Sequence, residues 1–364
     1  MQINALQLKN FRNYDAVDLQ FVSGINLILG DNAQGKTSLL EAIYLCSVGK
    51  SARTSKDKEL VKIHFDQAVV QLSVQTGDFL DKIKVVVPLY SKKNVSINGI
   101  PILRLGELMG VCKCVLFSPD EMNIIKEGPS ERRRFVDIAL CQMSKAYFYA
   151  LQTYNKVLAQ RNKLLKSGKA REDDLNIWDA QLASVGCKIA KNRKGFVKKL
   201  SGFASQKHLK LSDNKENLVV IYEGFDVDDD LELKTQFLRA LADDRARDLK
   251  HGYTHSGVHK DDIALHVNGI DVRTFGSQGQ QRTTVLSLKL AQIDLIDEMY
   301  NQKPVLLLDD VLSELDLNRC KKLLEFCSSC QTLITATHLE PALLESLKCY
   351  KIFEVKSGKI ICTQ

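Results

Sequence analysis

Residues 30–38 read GDNAQGKTS, directly after the apolar run Ile25-Asn26-Leu27-Ile28-Leu29 and directly before the apolar-periodic stretch SLLEAIYL. Gly30, Gly35, Lys36 and Thr37 occupy the fixed positions of G-x-x-x-x-G-K-[ST], and a strand before it with a helix after it is the context this motif requires. Glycines there let backbone N–H groups close around phosphate oxygens. The helix N-terminus adds positive potential, Lys36 reaches the terminal phosphates and the Thr37 hydroxyl reaches Mg²⁺. Asp31, Asn32, Ala33, Gln34 and Ser38 complete the expected nucleotide loop. This places the chain among α/β folds of the P-loop NTPase type, with ATP and Mg²⁺ as expected ligands.

Such a site needs an apolar strand ending in acid, and Val305-Leu306-Leu307-Leu308-Asp309-Asp310 supplies one. Asp309 is expected to hold Mg²⁺ through water, and Asp310 to orient or deprotonate the attacking water. A GTPase would need N-K-x-D, yet the Asn-Lys pairs at 155, 162 and 214 all lack the aspartate. Small-molecule kinases would not need a second glycine-bearing helix start far downstream. Here FGSQGQQR (275–282) is one, 241 residues beyond Lys36 at Ser277. Ser277 suits an N-cap and Gly279 lets backbone approach an anion, but no lysine is present. The arrangement makes sense if this helix end caps the γ-phosphate held by a second copy of the chain, closing two chains around two ATP molecules.

With 364 residues and 45% apolar content, the chain can bury a large core as one large or two medium domains. Its start lacks a signal-peptide pattern and no stretch approaches the roughly 18 apolar residues of a membrane span, so a soluble, cytoplasmic protein with no membrane partner is expected. Ten scattered cysteines suggest reduced thiols. Neither Cys112-Lys-Cys114 nor Cys327-Ser-Ser-Cys330 has the supporting ligands of a zinc site. Net charge is +7, and Lys126–Lys210 carries 19 Lys/Arg against 7 Asp/Glu. That surplus reads equally as a solvated face or a nucleic-acid surface.

The ends of the chain are β-rich. Apolar alternation runs through residues 1–30, and VSINGIPI (95–102) and LHVNGIDV (265–272) place Asn-Gly between alternating segments as hairpin turns. CYKIFEVKSGKIICT (349–363) resembles a closing hairpin. Between them, one helix is expected from a Ser130 cap to Leu165, then a turn at 166–169, then a second helix from about Asp174 to Phe203, forming an antiparallel arm. A strand, LVVIYEG, and another helix fall in 218–250.

Taken together, NFRNY (10–14), GDNAQGKTSLLEAIYL, FSPDEMNIIKEGPSERRRFVD (117–137), THSGVHKDD (254–262), FGSQGQQRT (275–283) and PVLLLDDVLSELD (304–316) closely resemble the RecF family of ABC/SMC-type ATPases. The resemblance implies an ABC-ATPase head, 1–118 with 250–364, and an inserted helical arm domain, 119–249. It places Ser277, Gly279 and Gln280 at the signature motif acting in trans, Asp316 at the D-loop, His338 at the switch histidine and Arg12 near the nucleotide.

It further implies a DNA-repair ATPase that binds double-stranded or gapped DNA and dimerises on ATP. Slow hydrolysis then releases the clamp, and RecR and RecO help place RecA on gapped DNA. Asp310 stands where transporter ATPases carry glutamate, which implies slow turnover. No glutamine marks the Q-loop, and Asp120 is the candidate. Arg132, Arg133, Arg134, Lys191, Arg193, Lys194, Lys198 and Lys199 are the candidate DNA contacts, since phosphate binding needs cations that follow a backbone. A transporter subunit, an SMC-type tether, a nuclease of the overcoming-lysogenisation type and an ATP-binding scaffold fit less well. The gap before Ser277 is too long for the first, the arm too short for the second, and the C-terminus too short for a nuclease domain; the scaffold differs in that Asp310→Asn would not trap a dimer.

Overall fold

The computed structural model describes residues 1–345 and 347–363. Two compact units emerge. Residues 1–122 and 286 onward form the first, and Asn123–Val285 form the second.

In the first unit, Ile25–Leu29 joins a six-stranded sheet in the order Lys359–Thr363, Tyr350–Lys356, Ile25–Leu29, Thr332–Ala336, Val305–Asp309, Cys114–Phe117. Every pairing is parallel except that of the closing hairpin, Tyr350–Lys356 with Lys359–Thr363. A parallel strand covered on both faces reads as a continuous apolar run, which is why INLIL and VLLLD show no alternation. The second sheet is antiparallel, in the order Tyr14–Gln20, Gln2–Phe11, Gln67–Thr76, Phe79–Pro88, Asn94–Ile97, Ile100–Pro101. Its strands alternate because one face is wet.

The helix Lys36–Val48 packs against strands of both sheets, and Leu39, Leu40 and Ile43 share one core with Leu6, Val70, Ile28 and Leu333. That double cover buries the helix nearly all round. Both Asn-Gly turns form as the sequence suggests. Asn98 and Gly99 have φ of 53° and 82°, and Asn268 and Gly269 have 51° and 80°, the pair of positive values a two-residue hairpin needs. None of the nine described cysteines forms a disulfide; the side chain of Cys362 lies outside the described residues.

The second unit is less purely helical than expected. Helices Pro129–Met143, Lys145–Lys166 and Glu172–Leu211 are joined by a three-stranded sheet, Ile270–Asp271, Asp262–Val267 and Leu218–Glu223. The single helix expected from Ser130 breaks at Ser144, whose extended backbone (φ −146°, ψ 111°) ends one helix while its hydroxyl accepts from Tyr147 N at 3.1 Å to start the next. The expected head boundary at 250 also differs from the observed division. Asp262–Val267 pairs with Leu218–Glu223, so residues 250–285 belong with the inserted unit.

Two buried ionic networks hold this unit. Arg161, fully buried, donates to Asp179 at 2.6 Å, to Asp248 at 2.6 Å and to Thr254 at 2.8 Å. Arg193 donates to both oxygens of Asp137 at 2.9 Å and to Asp261 at 2.9 Å, while Tyr222 donates to Asp261 at 2.6 Å. Buried charges of this kind are tolerable only when nearly every lone pair and proton is satisfied.

Arg161→Leu would leave Asp179 and Asp248 short of their shared cation, and urea unfolding should show a loss of about 3–5 kcal/mol, partly recovered by adding Asp248→Asn. His259 is held neutral, its pKa pushed down to about 4, chiefly by burial. Its contribution to stability is complete above the ordinary histidine value of about 6.5 and is lost as pH falls toward 4. Thermal melts across that window should show a falling midpoint, and the fall should be shallower in His259→Gln.

Candidate functional site

The loop after Ile25–Leu29 is shaped by two glycines that no other residue can replace. At Gly30 (φ 153°) a Cβ would collide with the Val355 carbonyl, and at Gly35 (φ 118°) it would fall 2.5 Å from Asn13 Nδ2. The crown of the loop is braced from outside. Asn13 Nδ2 and Gly358 N both donate to Gln34 O, at 2.9 and 3.0 Å, and Ser357 N donates to Gln34 Oε1 at 2.5 Å. The first strand pair and the closing hairpin thus fix a loop that the sequence marks only locally. Lys36, 6% exposed, donates from Nζ to Gly30 O at 2.5 Å and Asp31 O at 2.9 Å. Ser38 is buried behind it.

Thr37 opens the helix and donates from its hydroxyl to Asp309 Oδ1 at 2.8 Å. Thr335, on the strand between Ile25–Leu29 and Val305–Asp309, donates to the same oxygen at 2.7 Å. Burial raises the Asp309 carboxyl above the ordinary aspartate range, opposed by these two hydroxyls. Asp310 leaves the strand with φ 53°, its N–H held by Thr335 Oγ1 at 3.0 Å. Its Oδ1 is buried with no hydrogen-bond partner among the described residues, beside a cleft of about 760 Å³ that Asp310 lines together with Lys36, Thr37 and Asp309. A buried acceptor left open next to a cleft of ligand size marks where a polar group of a ligand or a water is recognised.

Asn32, Ala33, Arg12, Arg53 and Lys62 also line this cleft. Arg12, with φ 52°, forms a fork on Glu41, Nε to Oε2 at 2.8 Å and Nη2 to Oε1 at 2.6 Å, and donates from Nη1 to Glu59 O at 2.8 Å. The Glu41 side chain is 1% exposed; it also accepts from the Ser51 hydroxyl and lies 4.0 Å from Arg53. Glu41 and Arg53 are functional candidates that sequence reading missed. A lone acid inside the apolar helix SLLEAIYL, one turn after Thr37, was the available signal. A smaller neighbouring cleft of about 190 Å³ brings Asp120 together with Thr37, Glu41, Arg53 and Asp309.

Other expected residues are placed elsewhere. Ser277, Gly279 and Gln280 belong to the second unit, whereas Lys36, Asp309 and Asp310 belong to the first. Ser277 and Gln280 cap reciprocally, Gln280 N to Ser277 Oγ at 3.2 Å and Ser277 N to Gln280 Oε1 at 3.0 Å. Asp316 caps Leu317–Cys327 through Arg319 N at 2.9 Å. His338 is exposed just beyond Thr332–Ala336, touching Thr337 Oγ1 at 3.2 Å, and is not among the residues lining the cleft.

Two of the candidate DNA contacts are corrected by burial. Arg132, 5% exposed, forks onto Asp262 at 2.6 and 2.8 Å, and Arg193, 3% exposed, is consumed by Asp137 and Asp261. Their charge is spent inside the fold and cannot reach a phosphate. Arg133 is half-buried against Asp261 O, and exposed Arg134 pairs with Glu131 at 3.3 Å. Lys191 is met by Asp230, and Lys194 by Asp226 and Asp228, at 2.5–2.7 Å. Lys198 and Lys199 are exposed on the same helix.

Comparison with known proteins agrees with this geometry. Residues 2–361 match the model of the RecF/RecN/SMC N-terminal domain family. The DNA replication and repair protein RecF of Alkaliphilus oremlandii is 44% identical over 99% of this chain and 100% of its own length, and that of Acetivibrio thermocellus is 46% identical over 93% and 94%. Among solved structures, the recombination mediator protein RecF-ATP of the RecFOR pathway superposes with a TM-score of 0.91 at 38% identity, covering 99% of this chain and 98% of that one. The Smc head domain of Pyrococcus furiosus shares the fold, with a TM-score of 0.58 at 17% identity. The chain therefore belongs to the RecF family of DNA replication and repair proteins, within the ABC/SMC-type ATPase fold.

Proposed function

We propose that this chain is an ATP-driven, DNA-binding switch of replication and recombinational repair, and the observation that carries the reading is the Thr37–Asp309 hydrogen bond beside the open Asp310 oxygen. The P-loop N–H groups and helix N-terminus receive the triphosphate. Lys36, already pointed across the loop by the Gly30 and Asp31 carbonyls, exchanges them for phosphate oxygens. Thr37 Oγ1, directly, and Asp309 Oδ1, through water, are the oxygens that would hold Mg²⁺, which would supply neutralisation of phosphate charge there. Asp310 directs its unpaired oxygen at the attacking water and takes up its proton. Its side chain is one methylene shorter than glutamate, which favours slow turnover and a long-lived bound state.

The reading assigns the Ser277 cap, a lysine-free helix N-terminus, to the nucleotide of a second copy. Serine hydroxyl, Gly279 backbone and helix N-terminus would meet the γ-phosphate there, with Asp316 and His338 at the seam. Dimer closure on ATP then clamps double-stranded or gapped DNA, hydrolysis releases it, and RecR, with RecO and RecA, acts on the loaded substrate in the cytoplasm. Of the candidate DNA contacts, half-buried Arg133 and exposed Arg134, Lys198 and Lys199 are kept in this reading, and Lys191 and Lys194 would first have to shed their aspartates.

Light scattering should show a monomer with ADP and a dimer with ATP. Asp310→Asn should hold the ATP dimer while abolishing turnover, and Ser277→Arg should stay monomeric with an intact fold; a Ser277→Arg protein that dimerises and hydrolyses normally would refute the shared site. Arg12→Ala and Glu41→Gln should each weaken ATP binding by about tenfold, or ~1.4 kcal/mol. In calorimetry the double variant should be no weaker than either single one, because Glu41 acts through Arg12.

A further inference from the structure

The motif THSGVHKDD is only partly explained by stapling the inserted unit. Asp261 and Asp262 hold Arg193 and Arg132, and His259 is held between Tyr154 and the Thr254 carbonyl. His255, in the first part of the motif, instead joins residues just before it in building a surface. His251, Tyr253 and His255 form a cluster of rings with centroids 4.2–5.9 Å apart, and Tyr253 remains 42% exposed. Lys260 Nζ stands 5.5 Å from the centre of the Tyr253 ring.

This cluster is rigid for a traceable reason. Buried Asp248 accepts from His255 N at 2.9 Å and pairs with His255 Nδ1 at 2.7 Å, so Nδ1 carries the proton. His255 Nε2 in turn shares a hydrogen bond of 3.0 Å with His251 Nδ1. Arg161 fixes Asp248 from the core side. An ion pair in the interior thereby sets the orientation of exposed rings, and ring faces held in advance lose little entropy on binding.

Around the rings the charge is positive and open. Lys166 lies against Gly252, Lys250 precedes His251 in the chain and Lys260 stands at the Tyr253 ring; all three are exposed, with no carboxylate in ion-pair range of any of them among the described residues. Lys191 and Lys194, by contrast, are each covered by aspartate. Lys260 beside the exposed Tyr253 ring, and Lys166 beside the neighbouring Gly252, thus carry charge that no described carboxylate neutralises. Cations that follow a backbone beside rings that can stack bases are the two parts of a single-strand nucleic-acid site.

We infer that Tyr253, with His251, Lys166 and Lys260, forms a stacking platform for an unpaired base of single-stranded DNA, so that this unit recognises the unpaired part of a gapped substrate. The inference rests on the DNA-binding function proposed above. A duplex hides its base faces, so it can use the lysines but not the ring.

The test uses the full chain with ATP and two fluorescent probes in anisotropy titrations, a blunt duplex and the same duplex with an oligothymidine overhang. A 2-aminopurine in the overhang reports stacking. Wild type should bind the overhang probe about 5–150-fold more tightly than the blunt one, the range for one stacked base, and quench the 2-aminopurine. Tyr253→Ala should lose that gain and the quenching while binding the blunt duplex as before. Tyr253→Trp should retain both, which separates stacking from loss of fold. Lys166→Gln with Lys260→Gln should flatten the salt dependence of overhang binding. Equal wild-type affinity for both probes, or an overhang gain that survives Tyr253→Ala, overturns the platform and leaves the DNA-binding function standing. Failure to bind either probe overturns both.

Discussion

The hydroxyl of Thr37 donating to Asp309, 272 residues away, is the contact on which the functional geometry depends. It requires that the loop strand and the acid strand end at the same edge of one parallel sheet, with Thr332–Ala336 between them to supply Thr335. Parallel neighbours in one sheet need long crossovers, so these ends can meet only after most of the chain has been traversed. The insertion of Asn123–Val285 lies inside such a crossover, between Cys114–Phe117 and Val305–Asp309. A whole second unit can be accommodated there because the sheet constrains only where the chain leaves and where it returns.

Charge is arranged by the same logic at two scales. In the first unit a single buried carboxylate, Glu41, gathers Arg12, Ser51 and Arg53 at the rim of the cleft. That arrangement orients the Arg12 guanidinium by a two-point fork, which fixes direction as well as distance. In the second unit Arg161 and Arg193 each bind two aspartates from distant segments. The basic surplus of Lys126–Lys210 is therefore less a surface property than its count suggests. Part of it is interior cross-linking, and part is neutralised by the acidic stretch at Asp226–Asp230.

Features governed by neighbours in sequence were legible, and those governed by distant neighbours were not. The Asn-Gly hairpins, the buried strands, the loop and its helix follow from local φ/ψ demands and from burial period, and the structure contains them. The break at Ser144 was missed because apolar spacing continues across it, although a serine able to cap was present. The extent of the inserted unit was misjudged because Asp262–Val267 takes its partner from Leu218–Glu223, and strand pairing leaves no trace in a single strand's own pattern.

By itself, the sequence determined the chemistry available at the P-loop: Gly30 and Gly35 where backbone must turn with positive φ, Lys36 and Thr37 behind them, and an acidic strand end at Asp309-Asp310. Only the tertiary structure decided that Arg132 and Arg193 are buried, that Glu41 commands Arg12, that the closing hairpin braces Gln34, and that Asp310 keeps an oxygen open. The physical reason is one of range. A dihedral preference acts within a few residues, whereas the fate of a charge is set by which opposite charge, or which water, the finished fold brings beside it.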